Sequence, residues 1–312
     1  MISLAHNNAT AAAVVCDGPH DGQHFYVKPD APGAPAELDA DPYDVFGDDQ
    51  EWFRDKRRYK FLSRQDRDRL RLAILSQAAE GELSEDLRPK ASEMRLRLNS
   101  ANKTAFKLPA GSFCLLPTAE PERLYVAGRS GAGKSVVAAL YIREWVEQHP
   151  GGRVILLSTH DDEKAYESLP VQQMDLDEDF ISDPPTVQEL ANSLVVFDDV
   201  DNLQDKKLQA AVGALQNDLI ANGRKHGIWT VNLNHQLTDY SRTRHLLNEA
   251  SRVVFFPGGT TYHISRYLKV YAGLSPLQIK RVLAVKSRWV CLGLGTPMYV
   301  LSEHELFILP RE

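Results

Sequence analysis

The chain of 312 residues has only three cysteines, Cys16, Cys114 and Cys291, and no C-x-x-C pair. Scattered singly, they offer no zinc set, and their spacing fits a reducing compartment. No stretch approaches the run of about 18 apolar residues that a membrane-crossing helix needs, so no transmembrane segment is expected. The opening stretch MISLAHNNATAAAVVCDG has no basic start and no long apolar core, so no secretory signal is expected either. Formal net charge is −6. No molecule-wide basic field is available to draw in nucleic acid, and any such contact must be local.

What charge there is lies unevenly. Residues 1–50 hold one lysine against nine acids, whereas 51–107 hold fifteen lysines and arginines against nine. The chain therefore divides into an acidic, partly loop-like segment (1–50), a basic, helical region (51–110) and a third zone (111–312). The first carries a possible strand pair, Ala11 to Cys16 and His24 to Val27, before a loop rich in proline and aspartate from Lys28 to Asp49. The second has helical spacing over Gln65 to Ala79 and Ser84 to Asn102. Its stretch Trp52 to Phe61 interleaves aromatics with cations. That pattern suits an amphipathic helix docking on its own domain or a binding surface.

From Gly111 onward short apolar runs alternate with amphipathic stretches, the pattern of an α/β domain with a mostly parallel sheet covered by helices. The runs are Leu124 to Ala127, Val154 to Ser158, Leu194 to Phe197, Trp229 to Leu233 and Val253 to Phe256. Arg288 to Leu309 reads as an antiparallel extension. Lys206 to Asn222 places Leu208, Ala211, Val212, Leu215 and Leu219 on one helical face, with Gly223 expected at the positive-φ position that ends the helix.

Gly128-Arg129-Ser130-Gly131-Ala132-Gly133-Lys134-Ser135 follows the first of these strands and matches G-x-x-x-x-G-K-[ST]. Glycines let the backbone wrap phosphate oxygens with no Cβ in the way, and the amides at the following helix N-terminus make an anion site. Lys134 supplies a point charge to β and γ phosphates, and the Ser135 hydroxyl can ligate Mg²⁺. Asp198 and Asp199 end an apolar strand, where carboxylates reach the ligand edge of an α/β sheet. Asp198 is expected to hold Mg²⁺, and Asp199, directed the other way, to polarise the attacking water. Gln236, at the tip of the next strand, is the candidate sensor of the γ phosphate, with His235 as the weaker one. Arg224, in the basic turn Asn222 to Gly227, is the candidate arginine finger for a neighbouring subunit, and Arg242, Arg244 and Arg252 compete for the role.

GRSGAGKS, LVVFDDVD, GRKHGIWTVNLNHQ and NEASRVVFF, in that order, resemble the FtsK–HerA superfamily of P-loop ATPases. Within it they are similar to the genome-packaging ATPases of nucleocytoplasmic large DNA viruses, including the poxvirus type, and their virophage relatives. Tyr267-Leu268-Lys269, Ser287-Arg288-Trp289-Val290 and Pro297-Met298-Tyr299-Val300 extend the likeness, which runs from about residue 111 to 309. The resemblance implies a RecA-like core whose sensor strand lies between the two Walker strands. It implies ATP and Mg²⁺ as cofactors, and a ring, hexameric in the family, around double-stranded DNA. Capsid or membrane proteins of a virion are further candidate partners, and a host cytoplasm or viral factory is the expected location. Many superfamily members carry Glu where this chain has Asp199. The loop Thr238 to His245 is a candidate DNA contact, and the acidic stretch Asp161 to Asp183 is expected on the outer rim. Two rival readings of the P-loop are a small-molecule kinase and a nucleotide-gated scaffold with little turnover.

Overall fold

Short β-branched runs bounded by turns can be buried on both faces only as central strands of a covered sheet. The computed structural model describes residues 2–4, 9–28, 105–159, 164–238, 243–258 and 261–309. The expected loop over 29–49, the aromatic and cationic stretch from Trp52 to Phe61, both helices of the basic region, and Arg242 lie outside these residues.

Two sheets form. The small one is antiparallel, in the order β1 (Ile2–Ser3), β3 (His24–Val27), β2 (Thr10–Val15), β5 (Phe113–Leu115), and contains the strand pair expected near the N-terminus. The large sheet has ten strands. Its parallel part runs β11 (Arg252–Phe255), β6 (Arg123–Ala127), β10 (Trp229–Asn234), β9 (Ser193–Asp198), β7 (Arg153–Ser158), β8 (Val171–Met174). Beyond β11 it continues antiparallel through β12 (Val290–Gly293), β13 (Tyr299–Ser302), β14 (Glu305–Ile308) and β4 (Ala105–Lys107). The C-terminal extension is thus as expected. β8, inside the acidic stretch, is an additional strand, and its Gln172 and Gln173 are exposed at the edge of the sheet.

Alternation along the strands feeds two faces. Leu124, Val126, Val196 and Val231 pack on one side against α1 (Lys134–Gln148), which buries Val137, Ala138, Tyr141, Ile142 and Trp145 there. Each of the buried valine, leucine and isoleucine side chains contributes about 1.5–3 kcal/mol. The other side has two clusters. One holds Ile155 and Phe197 under α2 (Glu178–Ser182) and α3 (Lys206–Asn222). The other holds Tyr125, Val253 and Leu292 under α5 (Thr261–Val270) and α6 (Pro276–Leu283). The short helix α4 (Arg244–Glu249) precedes β11. Side-chain caps fix several starts. Asp205 accepts from the amides of Lys207 and Leu208, and Ser275 and Gln278 form a capping box on α6.

The structure corrects two expectations. Gly223 keeps a right-handed conformation, because α3 runs on into a 3₁₀ turn over Gly223–His226. Gly227 takes the positive φ (68°) instead. The cysteines are not all single. Cys16 and Cys114 form a disulfide with Cα atoms 6.0 Å apart, and only Cys291 is free. Their separation of 98 residues hides the pair, which antiparallel pairing of β2 with β5 brings together.

Candidate functional site

Parallel pairing registers Ala127, Asn234 and Phe255 at one edge of the sheet, so the loop Gly128 to Gly133 leaves β6 where β10 and β11 also end. This is the carboxyl edge, where ligands of open α/β sheets bind. β10 lies between β6 and β9, the strand arrangement that the resemblance implies. Gly131 (φ 74°) and Gly133 (φ 104°) are left-handed, which a side chain would strain. Gly128 is needed for a different reason. A Cβ there would stand 2.6 Å from the Phe256 ring. Its N–H donates to the Asn234 carbonyl at 3.0 Å, which ties the loop to the tip of β10. No side chain caps α1 at Gly133. Its first-turn amides and positive dipole end are therefore left to an anion.

Lys134 is buried, 6% exposed, and its Nζ lies 3.2 Å from Asp199 Oδ1. Asp199 follows β9 in a left-handed conformation (φ 53°), and this turn directs its carboxylate toward Lys134. Asp198, the last residue of β9, accepts at Oδ2 from Ser135 Oγ (3.4 Å) and from the Tyr166 hydroxyl (2.7 Å). Four expected residues, Lys134, Ser135, Asp198 and Asp199, are thus brought together. Hard oxygen donors from Ser135 and Asp198 at one point fit Mg²⁺.

At the tip of β10 it is His235 that faces the carboxylates. Its Nδ1 lies 3.5 Å from Asp199 Oδ1, 3.4 Å from Asp201 Oδ1 and 3.0 Å from Asn202 Nδ2. Its backbone N–H donates to Asp201 Oδ2. Gln236 is exposed and lines the adjoining cleft, and its carbonyl accepts from the Tyr125 hydroxyl at 2.7 Å. The cleft, of about 910 Å³, runs from Gly128, Arg129 and Ala132 past Phe256 to His263 and Arg288. Arg288 Nη2 lies 3.8 Å from where a Cβ on Gly133 would stand, so this cation overhangs the loop within the same chain.

Arg224 is exposed in the turn before β10, at the end of the strand opposite the cradle. Six residues of strand separate the two by about 20 Å. It can reach such a site only in another chain. Arg244 is exposed at the start of α4. Arg252 is removed from the candidates for an arginine finger. It is 2% exposed and grips Glu122 through two guanidinium nitrogens, with Nε to Oε2 at 2.7 Å. Burial alone would lower its pKa, but the Glu122 carboxylate together with Tyr299, Tyr141 and Cys291 holds it well above the usual arginine range.

Tyr166, Asp201 and Arg288 are site residues to which sequence reasoning gave no role. Tyr166 sits in a turn with no motif, and Asp201 closes the quoted LVVFDDVD without a role of its own. Arg288 stands inside a quoted pattern, but only tertiary packing shows where it points.

No family profile matches the chain. Over 207 residues it is 34% identical to the uncharacterized protein V3 of the Sputnik virophage, a match that takes in 65% of this chain and 83% of the relative. The chain belongs to the family of that protein. The kinship with virophage proteins that the motifs implied is thereby borne out. Among solved structures, the genome packaging NTPase B204 of Sulfolobus turreted icosahedral virus 2 is similar over 58% of this chain and 97% of its own. The identity is 10% and the TM-score 0.40. The pCW3 conjugation coupling protein TcpA is similar over 66% of this chain and 67% of its own, at 14% identity and a TM-score of 0.42. No helix among the described residues of this virophage-family protein is long and apolar enough to cross a membrane.

Proposed function

We propose that the chain is an Mg²⁺-dependent ATPase that moves double-stranded DNA, in the setting of viral genome packaging, and that it works as a ring, hexameric as its motifs imply. The observation that carries the ATPase is the convergence of Lys134, Ser135, Asp198 and Asp199 at the mouth of an uncapped helix. The DNA part rests on the order of motifs, which resembles that of DNA-packaging ATPases.

The chain's own groups divide the work. The loop amides and α1 bind the polyphosphate, and Lys134 holds its β and γ oxygens. Ser135 and Asp198 would hold Mg²⁺, which neutralises developing charge when bound. The ion pair of Lys134 with Asp199 keeps a nearly buried ammonium compensated before nucleotide arrives. Incoming phosphate draws Lys134 away and leaves Asp199 to orient and deprotonate water. His235 bridges Asp199 to Asp201, and Gln236 faces the cleft beside it. Arg224 serves the site of the adjacent subunit.

Purified protein is expected to hydrolyse ATP, with the rate raised by double-stranded DNA, and Lys134→Ala to lower turnover by about 10²-fold or more. A rate indifferent to DNA across a range of salt would sink the pump reading. Tight ATP binding with no turnover would favour the scaffold.

A further inference from the structure

Two concentrations of like charge lie toward opposite sides of the large sheet's parallel part. Between Glu249 and Glu303 the sequence has no acidic residue and seven lysines and arginines. Apart from the buried Arg252, all of these cations are exposed, and most lie on or beside α5 and α6. Arg266 and Lys269 share the outer face of α5 with Tyr262 and Val270, and Lys280 shares that of α6 with Leu277. These three apolar residues are 64%, 65% and 73% exposed, and only Val136 joins them as an exposed large hydrophobic among the described residues. The surface is both cationic and apolar.

The opposite end mirrors it. From 160 to 192 there are ten acids and one lysine. Glu167, Asp175, Asp179 and Asp183 are exposed on and around the edge strand β8 and the helix α2. Among the described residues, neither these carboxylates nor the outer-face cations Arg266, Lys269 and Lys280 form an ion pair within the chain. α2 and α5 cover the same side of the sheet, with β6, β10, β9 and β7 between β11 and β8. At about 4.8 Å per strand the two ends are too far apart to meet within one molecule.

We infer that the α5–α6 face docks on the acidic β8–α2 edge of a second copy of this chain, head to tail. The inference deepens the assembly part of the reading above by naming the two surfaces that meet. Each copy offers both signs, so the contact is heterologous and propagates until it closes. Tyr262, Val270 and Leu277 favour a protein partner over nucleic acid, because a phosphate backbone gains nothing from covering them, whereas interface centres are apolar and aromatic. Opposite charge then sets orientation and speeds encounter.

The test is a charge swap in the full chain, read by sedimentation velocity at low salt. Arg266→Glu/Lys269→Glu/Lys280→Glu reverses one face, and Asp175→Lys/Asp179→Lys/Asp183→Lys the other. Asp177 is spared because it caps α2. Each triple variant alone is expected to associate at least tenfold more weakly than the unsubstituted protein, and an equimolar mixture to recover, since alternating copies restore every contact. Two variants that assemble normally, or a mixture that does not recover, overturn the inference. So does unchanged assembly of the first variant with weakened retention of duplex DNA on filters, which would make the face a nucleic-acid site. ATP turnover is measured in parallel. Rescue of assembly in a protein that hydrolyses no ATP would remove the ATPase reading and leave the docking intact.

Discussion

Glu122 and Arg252 are both almost wholly buried, yet they lie at the ends of their strands opposite the loop Gly128 to Gly133. Tyr141 donates to Glu122 at 2.8 Å, and Arg252 Nη1 donates to the carbonyls of Leu116 and Ala12. The pair therefore ties the starts of β6 and β11 to the N-terminal sheet. Arg252→Ala should cost about 3–5 kcal/mol, because it strands a buried carboxylate, whereas Glu122→Gln with Arg252→Met should recover most of that. Urea midpoints measure both. Sequence reasoning grouped Arg252 with the finger candidates because an arginine beside a strand reads alike whether it points in or out. By contrast the meeting of Lys134, Ser135 and Asp198 was legible, since the P-loop pattern and the strand-ending carboxylates place those residue types at fixed points along the chain. Tyr166 and Asp201 were not, and His235 was ranked below Gln236, because their contacts span 32 to 36 residues that no local pattern encodes.

The loop of the cradle is positioned by a neighbouring strand as much as by its own glycines. Phe256, just past β11, fills the space under Gly128 that a side chain would need. Gly128→Ala should therefore push the loop out of register and weaken binding of a fluorescent ATP analogue by about tenfold or more, and adding Phe256→Ala should restore part of it. An additive double variant would show that the two do not interact. Strand positions were readable from apolar runs, because a buried parallel strand has no polar face to disguise it. β8 was not, since Val171-Gln172-Gln173-Met174 is a polar edge strand within an acidic stretch. The end of α3 misled for a related reason. Gly223 looked like the stop, but a 3₁₀ turn carries the chain on to Gly227.

In the whole molecule, Arg224 and the cradle occupy opposite ends of β10, so a finger at this position can act only between copies. Mixing Lys134→Ala with Arg224→Ala chains should yield more ATP turnover than either variant alone, since an intact lysine site then meets an intact arginine. If mixtures gain nothing, Arg224 has no trans role and Arg288, already over the loop in the same chain, becomes the cation to replace next. The fold class was legible from the alternation of runs and helices, but the order of strands was expected only through the resemblance.

The bond between Cys16 and Cys114 has a topological reach beyond the two strands it joins. Cys114 packs with Leu140 on the back of the helix that carries Lys134, so both ends of the intervening polypeptide are fastened to one small region behind the cradle. Residues 17–113 are thus joined to the rest of the chain by two covalent connections rather than one. A single peptide cleavage between them would open the loop and leave both pieces attached.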